Sequence, residues 1–349
     1  MAATAAGFVS ASMVPARASV TMPPRNDRWR RFEITTHVQM PDALGAAALW
    51  LPIAQTTEGY QTGVDIRWQG NGTHGIARDT TYGAAVLRST WPDGMAARQV
   101  TVVQTVMTRD RGSLPTVPLS TVERRFWTQG TADIPTDGIV SDTAQRIVGG
   151  LTDPRQRLRA LYDWVVDTTW RDADTAGCGL GDIKSMLESG RFGGKCADIN
   201  GLMTGLARAA GFPARDIYGI RVADSALFPA LGRGGDITRA QHCRTDVFLD
   251  DAGWFPLDPA DVRKVVLEQK LSIDSAEVRA LRDRLFGQWE MNWIGYNSAT
   301  GIELPGAEAW QRPNFAFLMY PCGFVGSLQL DTLEPGTFCY AITSRELPG

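Results

Sequence analysis

Apolar and polar residues alternate along the chain from Trp29 to about Arg111. Phe32, Ile34, Thr36 and Val38 share one side of a stretch, Val64, Ile66 and Trp68 share one side of another, and Val100 and Val102 lie in a third, β-branched run. A period of two marks half-buried strands. Asn71-Gly72 and Pro92-Asp93-Gly94 punctuate these runs, and about six or seven strands at this spacing predict a β-sandwich over residues 25–130. Asn71-Gly72-Thr73 also matches a glycosylation sequon, but Asn-Gly between strands reads first as a hairpin turn. A Pro-containing stretch from Leu114 to Pro118, and then Thr131 to Gly138, marks a boundary. Beyond it the period becomes helical.

Asp153 before Pro154 is an N-cap with proline in the first turn, and Leu158, Leu161, Trp164 and Val165 form the apolar face of a helix ending near Thr168. A short helix fits Ile183 to Glu188. Ile199, Leu202, Met203 and Leu206 define a third, stopped by Gly211 and Pro213. Strands are predicted at Ile217–Val222, His242–Leu249 and Trp254–Asp258, then a helix near Ser275–Phe286 and short aromatic strands at Phe315–Tyr320 and Phe338–Ile342. The expected organisation is α+β: a sandwich over 25–130, a helix-and-sheet core over 140–265 and a small C-terminal extension of a helix and short strands over 270–349.

With 349 residues, 44% of them hydrophobic and 21% charged, the chain has material for about two or three domains with substantial cores. Its formal charge of -3 gives no electrostatic reason to bind nucleic acid or an anionic membrane. No apolar run reaches the roughly 20 residues of a membrane span. Small and apolar residues from Ala2 to Val14, followed by Pro15 and Ala16-Arg17-Ala18, resemble the apolar segment and cleavage site of a secretory signal over 1–18. The first basic residue is Arg17, so the basic n-region is missing, as it would be if the start were placed too far downstream. The expected location is periplasmic or secreted, and cytoplasmic if this segment is no signal.

Cys178, Cys196, Cys243, Cys322 and Cys339 form no C-x-x-C pair and have no histidine at zinc-ligand spacing, so neither a structural metal nor a cofactor is expected. An odd count in an exported chain leaves at least one thiol free. Cys322 with Cys339 and Cys178 with Cys243 are the candidate disulfides, against the alternative that all five are reduced. Asp172 with Asp174, and Asp250 with Asp251, read as solvated turn residues in preference to calcium ligands. Gly232-Arg233-Gly234-Gly235 precedes a strand, not a helix, and reads as a flexible loop.

Arg191-Phe192-Gly193-Gly194-Lys195-Cys196-Ala197-Asp198 concentrates chemistry at the start of the best-defined helix. A thiol in a first helical turn has its thiolate favoured by the helix dipole and by unpaired N–H groups, and those groups are placed to hold an oxyanion. The bland alternative is a small buried cysteine. A thiolate nucleophile needs an imidazole. Of three histidines, His37 and His74 lie in the sandwich, leaving His242. Asp258 falls on the face of His242 only if the loop after Leu249 has an odd number of residues or a bulge. In that case the carboxylate could orient the ring. Asp198 reads as a dipole-matched first-turn carboxylate, and Arg215 and Arg221 as strand-edge or ion-pairing residues.

Four motifs in order resemble the transglutaminase-like superfamily, a papain-like fold. They are Gly194-Lys195-Cys196 with Asp198, Arg208-Ala209-Ala210-Gly211-Phe212-Pro213-Ala214-Arg215, His242, and Gly253-Trp254-Phe255-Pro256-Leu257-Asp258-Pro259. The resemblance covers roughly residues 142–265. It implies a helix bearing Cys196 packed on an antiparallel sheet, with Cys196 as nucleophile, His242 as base and Asp258 as orienting carboxylate. It also implies an oxyanion-hole side chain from upstream of the cysteine, for which Trp170 is the nearest candidate. Cys243-Arg244 after the histidine departs from the family pattern. The implied function is a cysteine hydrolase or acyl transferase acting on a peptide or amide carbonyl, with peptides, proteins or cell-wall peptides as substrates. The alternatives are a catalytically idle module binding a peptide or cell-wall ligand, and an arylamine N-acetyltransferase-like enzyme. Against the latter, Phe192 separates Arg191 from the glycines.

Overall fold

A computed structural model describes residues 21–348, except 58, 114–116, 311–313 and 335–337. The signal-like segment and part of the boundary stretch that begins at Leu114 therefore lie outside the described residues. In chain order the first strands are β1 (Arg30–Gln39), β2 (Ala47–Pro52), β3 (Gln61–Gly70), β4 (Thr73–Arg78), β5 (Ala85–Trp91) and β6 (Gln99–Thr108). Then come α1 (Thr121–Thr128), α2 (Gly138–Val148), α3 (Pro154–Thr168), β7 (Trp170–Arg171), α4 (Ile183–Ser189), β8 (Gly193–Gly194) and α5 (Cys196–Ala209). β9 (Ala214–Arg221), β10 (Gly235–Asp236), β11 (Gln241–Leu249), β12 (Gly253–Leu257), α6 (Pro259–Glu268) and α7 (Ala276–Arg284) follow. The last are β13 (Trp293–Asn297), β14 (Ile302–Glu303), β15 (Asn314–Phe315), β16 (Cys322–Val325), β17 (Leu328–Gln329) and β18 (Cys339–Leu347).

Two five-stranded sheets, ordered β10-β18-β1-β6-β3 and β17-β16-β2-β5-β4, make the sandwich. Phe32, Ile34, Thr36 and Val38 all point inward from β1, as their alternation requires. β2 is buried along its whole length, because both its faces are covered. Ala47, Leu49 and Leu51 join the inter-sheet core, while Ala48 and Trp50 pack under Ile302, Leu304, Leu318 and Phe324. The remaining helices and the sheet β12-β11-β9-β13 form the second core.

Several expectations change. The stretch 270–349 is no separate extension: β13 joins the core sheet beside β9, β16 pairs with β2, and β18 pairs with β1 over nine positions. Short aromatic strands carry no signal of which sheet they will complete. Asn71-Gly72 does turn the chain, but it joins two sheets and not a hairpin, since β3 pairs with β6 and β4 with β5. Gly72 adopts φ +107°, and Asn71 Oδ1 accepts Trp91 Nε1–H and the Gln99 N–H. Val64 and Trp68 stay exposed because β3 is an edge strand with a bulge after Gly63. Helices α1, α2 and α6 fall where no helix is expected, although Ser120 and Glu123 form the capping box that starts α1. All five cysteines are free. Cys322 lies opposite Trp50 in one sheet and Cys339 opposite Gln39 in the other, which separates that candidate pair.

Arg111 ties the sandwich to the core. Its buried guanidinium lies 4.5 Å from the Tyr60 ring centroid and 4.4 Å from that of Trp289, and donates to Asp246 Oδ1 at 2.6 Å and to Trp254 O at 2.9 Å. Removing Arg111 leaves the buried Asp246 carboxylate with Arg215 alone and takes the cation from between the two rings. Arg111→Ala is therefore expected to cost about 3–5 kcal/mol, read as a lower urea midpoint. Arg67→Ala, which breaks an exposed pair with Glu33, should stay within about 1 kcal/mol.

Candidate active site

The N-terminus of α5 is held by its own acidic residue. Asp198 Oδ1 accepts the N–H groups of Leu180 (3.0 Å) and Gly181 (2.9 Å), while Oδ2 accepts that of Lys195 (2.9 Å). Asp198 thus pins the loop preceding α4 onto the helix start. Gly179, at φ +92°, is required there, since a Cβ would fall 1.8 Å from that carboxylate. The same loop lays the carbonyl of Cys178 on the Ala197 N–H at 2.9 Å. Cys196 opens the helix, buried but on the wall of a cleft.

α5 is fixed on the sheet by polar contacts. Asn200 Nδ2 donates to Cys243 O at 2.7 Å, and Thr204 Oγ1 to Asp216 Oδ1 at 2.7 Å. Burial pushes the Asp216 carboxyl up to about 6. His242 stands near the start of β11, opposite Gly219 of β9. A Cβ on Gly219 would meet the Trp293 ring at 2.6 Å, and that indole donates to His242 O at 2.8 Å.

The loop from β11 to β12 holds three residues, Asp250, Asp251 and Ala252, between paired Leu249 and Gly253. That odd number satisfies the geometric condition. Asp258, one past β12, comes onto the face of His242, and its Oδ2 lies 2.8 Å from His242 Nε2. Cys196 is near enough for His242 to lower its thiol pKa. Asp258 also caps α6 by accepting the Asp261 N–H at 3.1 Å.

Around this pair lies a charged group that sequence reasoning missed. Asp261 Oδ1 is 3.4 Å from His242 Nε2 and pairs with Arg221. Arg244 Nε is 3.2 Å from Asp258 Oδ2, and its guanidinium lies against the rings of Trp289 and Trp293. All five charged side chains are buried. The D-P-x-D spacing of Asp258 and Asp261 on an N-cap was the available signal. Arg244, the departure from the family pattern, is the counter-ion of Asp258. His242, Asp258 and Asp261 lie close enough to share a cation, but the two arginines already neutralise the carboxylates.

Hydrogen bonds from Cys178 and Cys243, then the His242 contact and its positive charge, hold the Cys196 thiol well below the usual range against the opposing effect of burial. The flanking thiols shift the other way. Hydrogen bonding to Cys196 and burial raise Cys178, and burial followed by Cys196 raises Cys243. For His242, burial and Arg221 oppose protonation, yet Asp261 and Asp258 together raise its pKa. Asp258 is raised by burial and by Asp261, whereas Asp261 is lowered by Arg221, His242 and Arg244 despite its burial.

Cys196 and His242 open onto a cleft of about 790 Å³, walled also by Cys178, Gln241, Tyr320, Phe338 and Tyr340. Gly232 and Arg233 line it too, and Gly235 is stitched to β18 through β10. Trp170 corrects an expectation. Parallel pairing of β7 with β8 aims its indole over Gly193, leaves it 45% exposed and puts Arg171, not Trp170, on the cleft wall. The other acidic candidates are turn residues. Asp172 accepts the Asp174 N–H, while Asp250 and Asp251 pair with Arg124 and Arg155. Arg215 pairs with Asp246 and stacks on Trp254.

Residues 141–259 match the family model described as transglutaminase-like superfamily. An uncharacterised protein of Haemophilus influenzae is 32% identical over 368 residues, covering 98% of this chain and 99% of its own. Among solved structures, a candidate cysteine protease from Cytophaga hutchinsonii superimposes with a TM-score of 0.55 at 14% identity, over 93% of both chains. The periplasmic domain of TgpA from Pseudomonas aeruginosa gives a TM-score of 0.36 at 15% identity, over 73% of this chain and 92% of that one. With residues 141–259 matched by the family model and a relative 32% identical over 98% of its length, the protein belongs to the transglutaminase-like superfamily.

Proposed function

We propose that this protein is a cysteine-nucleophile enzyme that cleaves or transfers an acyl group from a peptide or amide through an acyl-enzyme. The observation that carries the reading is the setting of His242, between the Asp258 carboxylate and a Cys196 thiol whose pKa is depressed, at the wall of a cleft. The Cys196 thiolate attacks the carbonyl carbon. The Ala197 N–H is engaged by Cys178 O, so the N–H of Cys196 is the helix donor assigned to the oxyanion. His242, protonated, gives its proton to the leaving amine as the C–N bond breaks, and then takes one from the water or amine that releases the acyl group. Asp258 holds the ring and stabilises the imidazolium. Export of the chain belongs to the same proposal and rests on the signal-like segment. Among the described residues no helix is long and apolar enough to cross a membrane.

The cleft favours an acidic acyl donor. Arg171, Lys195, Arg221, Arg233, Arg239 and Lys264 line it, against Asp236 and Glu268. Arg221 is committed to Asp261, and Arg171 and Lys264 share Glu268. Burial and Arg221 push Lys264 down to about 8. Lys195, Arg233 and Arg239 remain to meet substrate carboxylates.

Iodoacetamide labelling with peptide mapping tests the nucleophile. Cys196 should alkylate below the ordinary thiol value of about 8.5 and lose that advantage in His242→Ala, while Cys322, which burial pushes up to about 12, should not react. Equal labelling of the two would end the proposal. With Cys196 lowered and His242 raised, the thiolate–imidazolium pair fills a window between them. Activity should rise as Cys196 loses its proton and fall as His242 loses its own above about 6.5. In Asp258→Asn the alkaline limb should move to lower pH and kcat/KM should drop by about 10²- to 10⁴-fold. Arg239→Glu should raise KM for a carboxylate-bearing donor by about fivefold, the worth of one exposed charge contact, and leave a neutral donor less affected.

A further inference from the structure

Cys196 is one of three thiols brought together from three segments. Cys178, from the loop before α4, is held beside it by the bond from the Ala197 N–H to its carbonyl, and Cys178 and Cys243, from β11, are the groups that lower the Cys196 thiol most. They differ in access: Cys178 shares the cleft wall with Cys196, whereas Cys243 is fully buried behind it. Cys178 is also the more deliberately placed. It sits between Gly177 at φ +54° and Gly179 at φ +92°, and its carbonyl is fixed by the Ala197 N–H. Its sulfur accepts the Tyr320 hydroxyl at 3.0 Å and donates to Gln241 O at 3.4 Å. The Tyr320 and Gln241 contacts play no part in the acyl-transfer steps proposed above.

We propose that Cys196 is an oxidation site for hydroperoxides and that Cys178 is its resolving thiol, closing a reversible Cys178–Cys196 disulfide. The Cys196 thiolate attacks the terminal oxygen of the hydroperoxide. The S–O bond forms as the O–O bond breaks, and the departing alkoxide or hydroxide takes the His242 proton and leaves as alcohol or water. Cys178 then attacks the sulfenyl sulfur. The S–S bond forms, the S–O bond breaks, and hydroxide leaves with the Cys178 proton as water. Two thiols lose two electrons, and the hydroperoxide is reduced to alcohol and water. The first step prepares the second. Hydrogen bonding to the Cys196 thiolate and its charge hold Cys178 protonated, while Tyr320 and Arg171 favour its thiolate. Once Cys196 is a neutral sulfenic acid, that restraint is gone. The disulfide blocks the nucleophile and shields it from further oxidation.

The test reads mass, not turnover, so it stands apart from the acyl-transfer proposal. Treating the purified protein with equimolar hydrogen peroxide and mapping peptides should show the Cys178 and Cys196 peptides linked, two hydrogens lighter than their sum, and separated again by dithiothreitol. Dimedone should label Cys196 in Cys178→Ser, which then runs on to sulfinic acid that thiols do not reverse, and should lose that adduct in the wild type. Cys243→Ser should still form the link. A Cys243–Cys196 link, or dimedone labelling of wild-type Cys196 with no linked peptide, would overturn the proposal. Mapping of the wild type decides it even where a variant fails to fold.

Discussion

Asp258 caps α6 and Asp261 sits in its first turn, both buried, and two such carboxylates persist only if cations are brought to them. Arg221 from β9 and Arg244 from β11 bring two positive charges against their two negative ones. His242 lies against both carboxylates, and together they raise its pKa against the effects of burial and Arg221. His242 in turn is among the groups that lower the Cys196 thiol, after Cys178 and Cys243. Arg244 has requirements of its own, met by the Trp289 and Trp293 rings and by Glu290 O at 2.8 Å. The chain after α7 must therefore return to the core sheet, and β13 is the strand that results.

The same economy of parts governs the cleft. Its floor is the start of α5 and of β11, but its walls come from the loop before β11 and from Tyr320, Phe338 and Tyr340, far along the chain. Phe338 belongs to the inter-sheet core of the sandwich, and Tyr340 packs against it. The sandwich is thus one of the walls, and Arg111 clamps it to the sheet that carries His242 and Asp246. Core and sandwich share an apolar cluster that contains Phe32, Ile34, Val106 and Ile342 beside the helix residues.

Local chemistry was legible in the sequence. The helix start at Cys196 was written in two glycines and an apolar period, and the meeting of His242 with Asp258 reduced to counting three loop residues. The face of β1 and the boundary of α3 were read for the same reason, since periodicity reports burial along one element. Partnership between distant elements was not legible. Nothing in Cys339 to Leu347 says that it pairs with β1, and nothing in Val64, Ile66 and Trp68 says that their strand lies at an uncovered edge. Trp170 stands upstream of Cys196 in the expected place in sequence, but its direction is set by a two-residue parallel pairing that no pattern announces. Cys178 sits in a Gly-Cys-Gly loop without period, where only the positive φ of its neighbours reveals that it is positioned.

The pairing of β1 with β18 also imposes an order in time. A nascent chain has made the helix, the histidine strand and the acidic cap by Asp261, yet β1 gains its second neighbour only when Leu347 has emerged. Until then the growing polypeptide carries its thiols beside an unfinished wall, and the hydrogen-bonding edge of β1 stays open from Thr108 to Leu347, roughly 240 residues or on the order of 10–50 s at typical elongation rates. The cleft is consequently among the last features of the molecule to exist, although the residues at its centre are made well before.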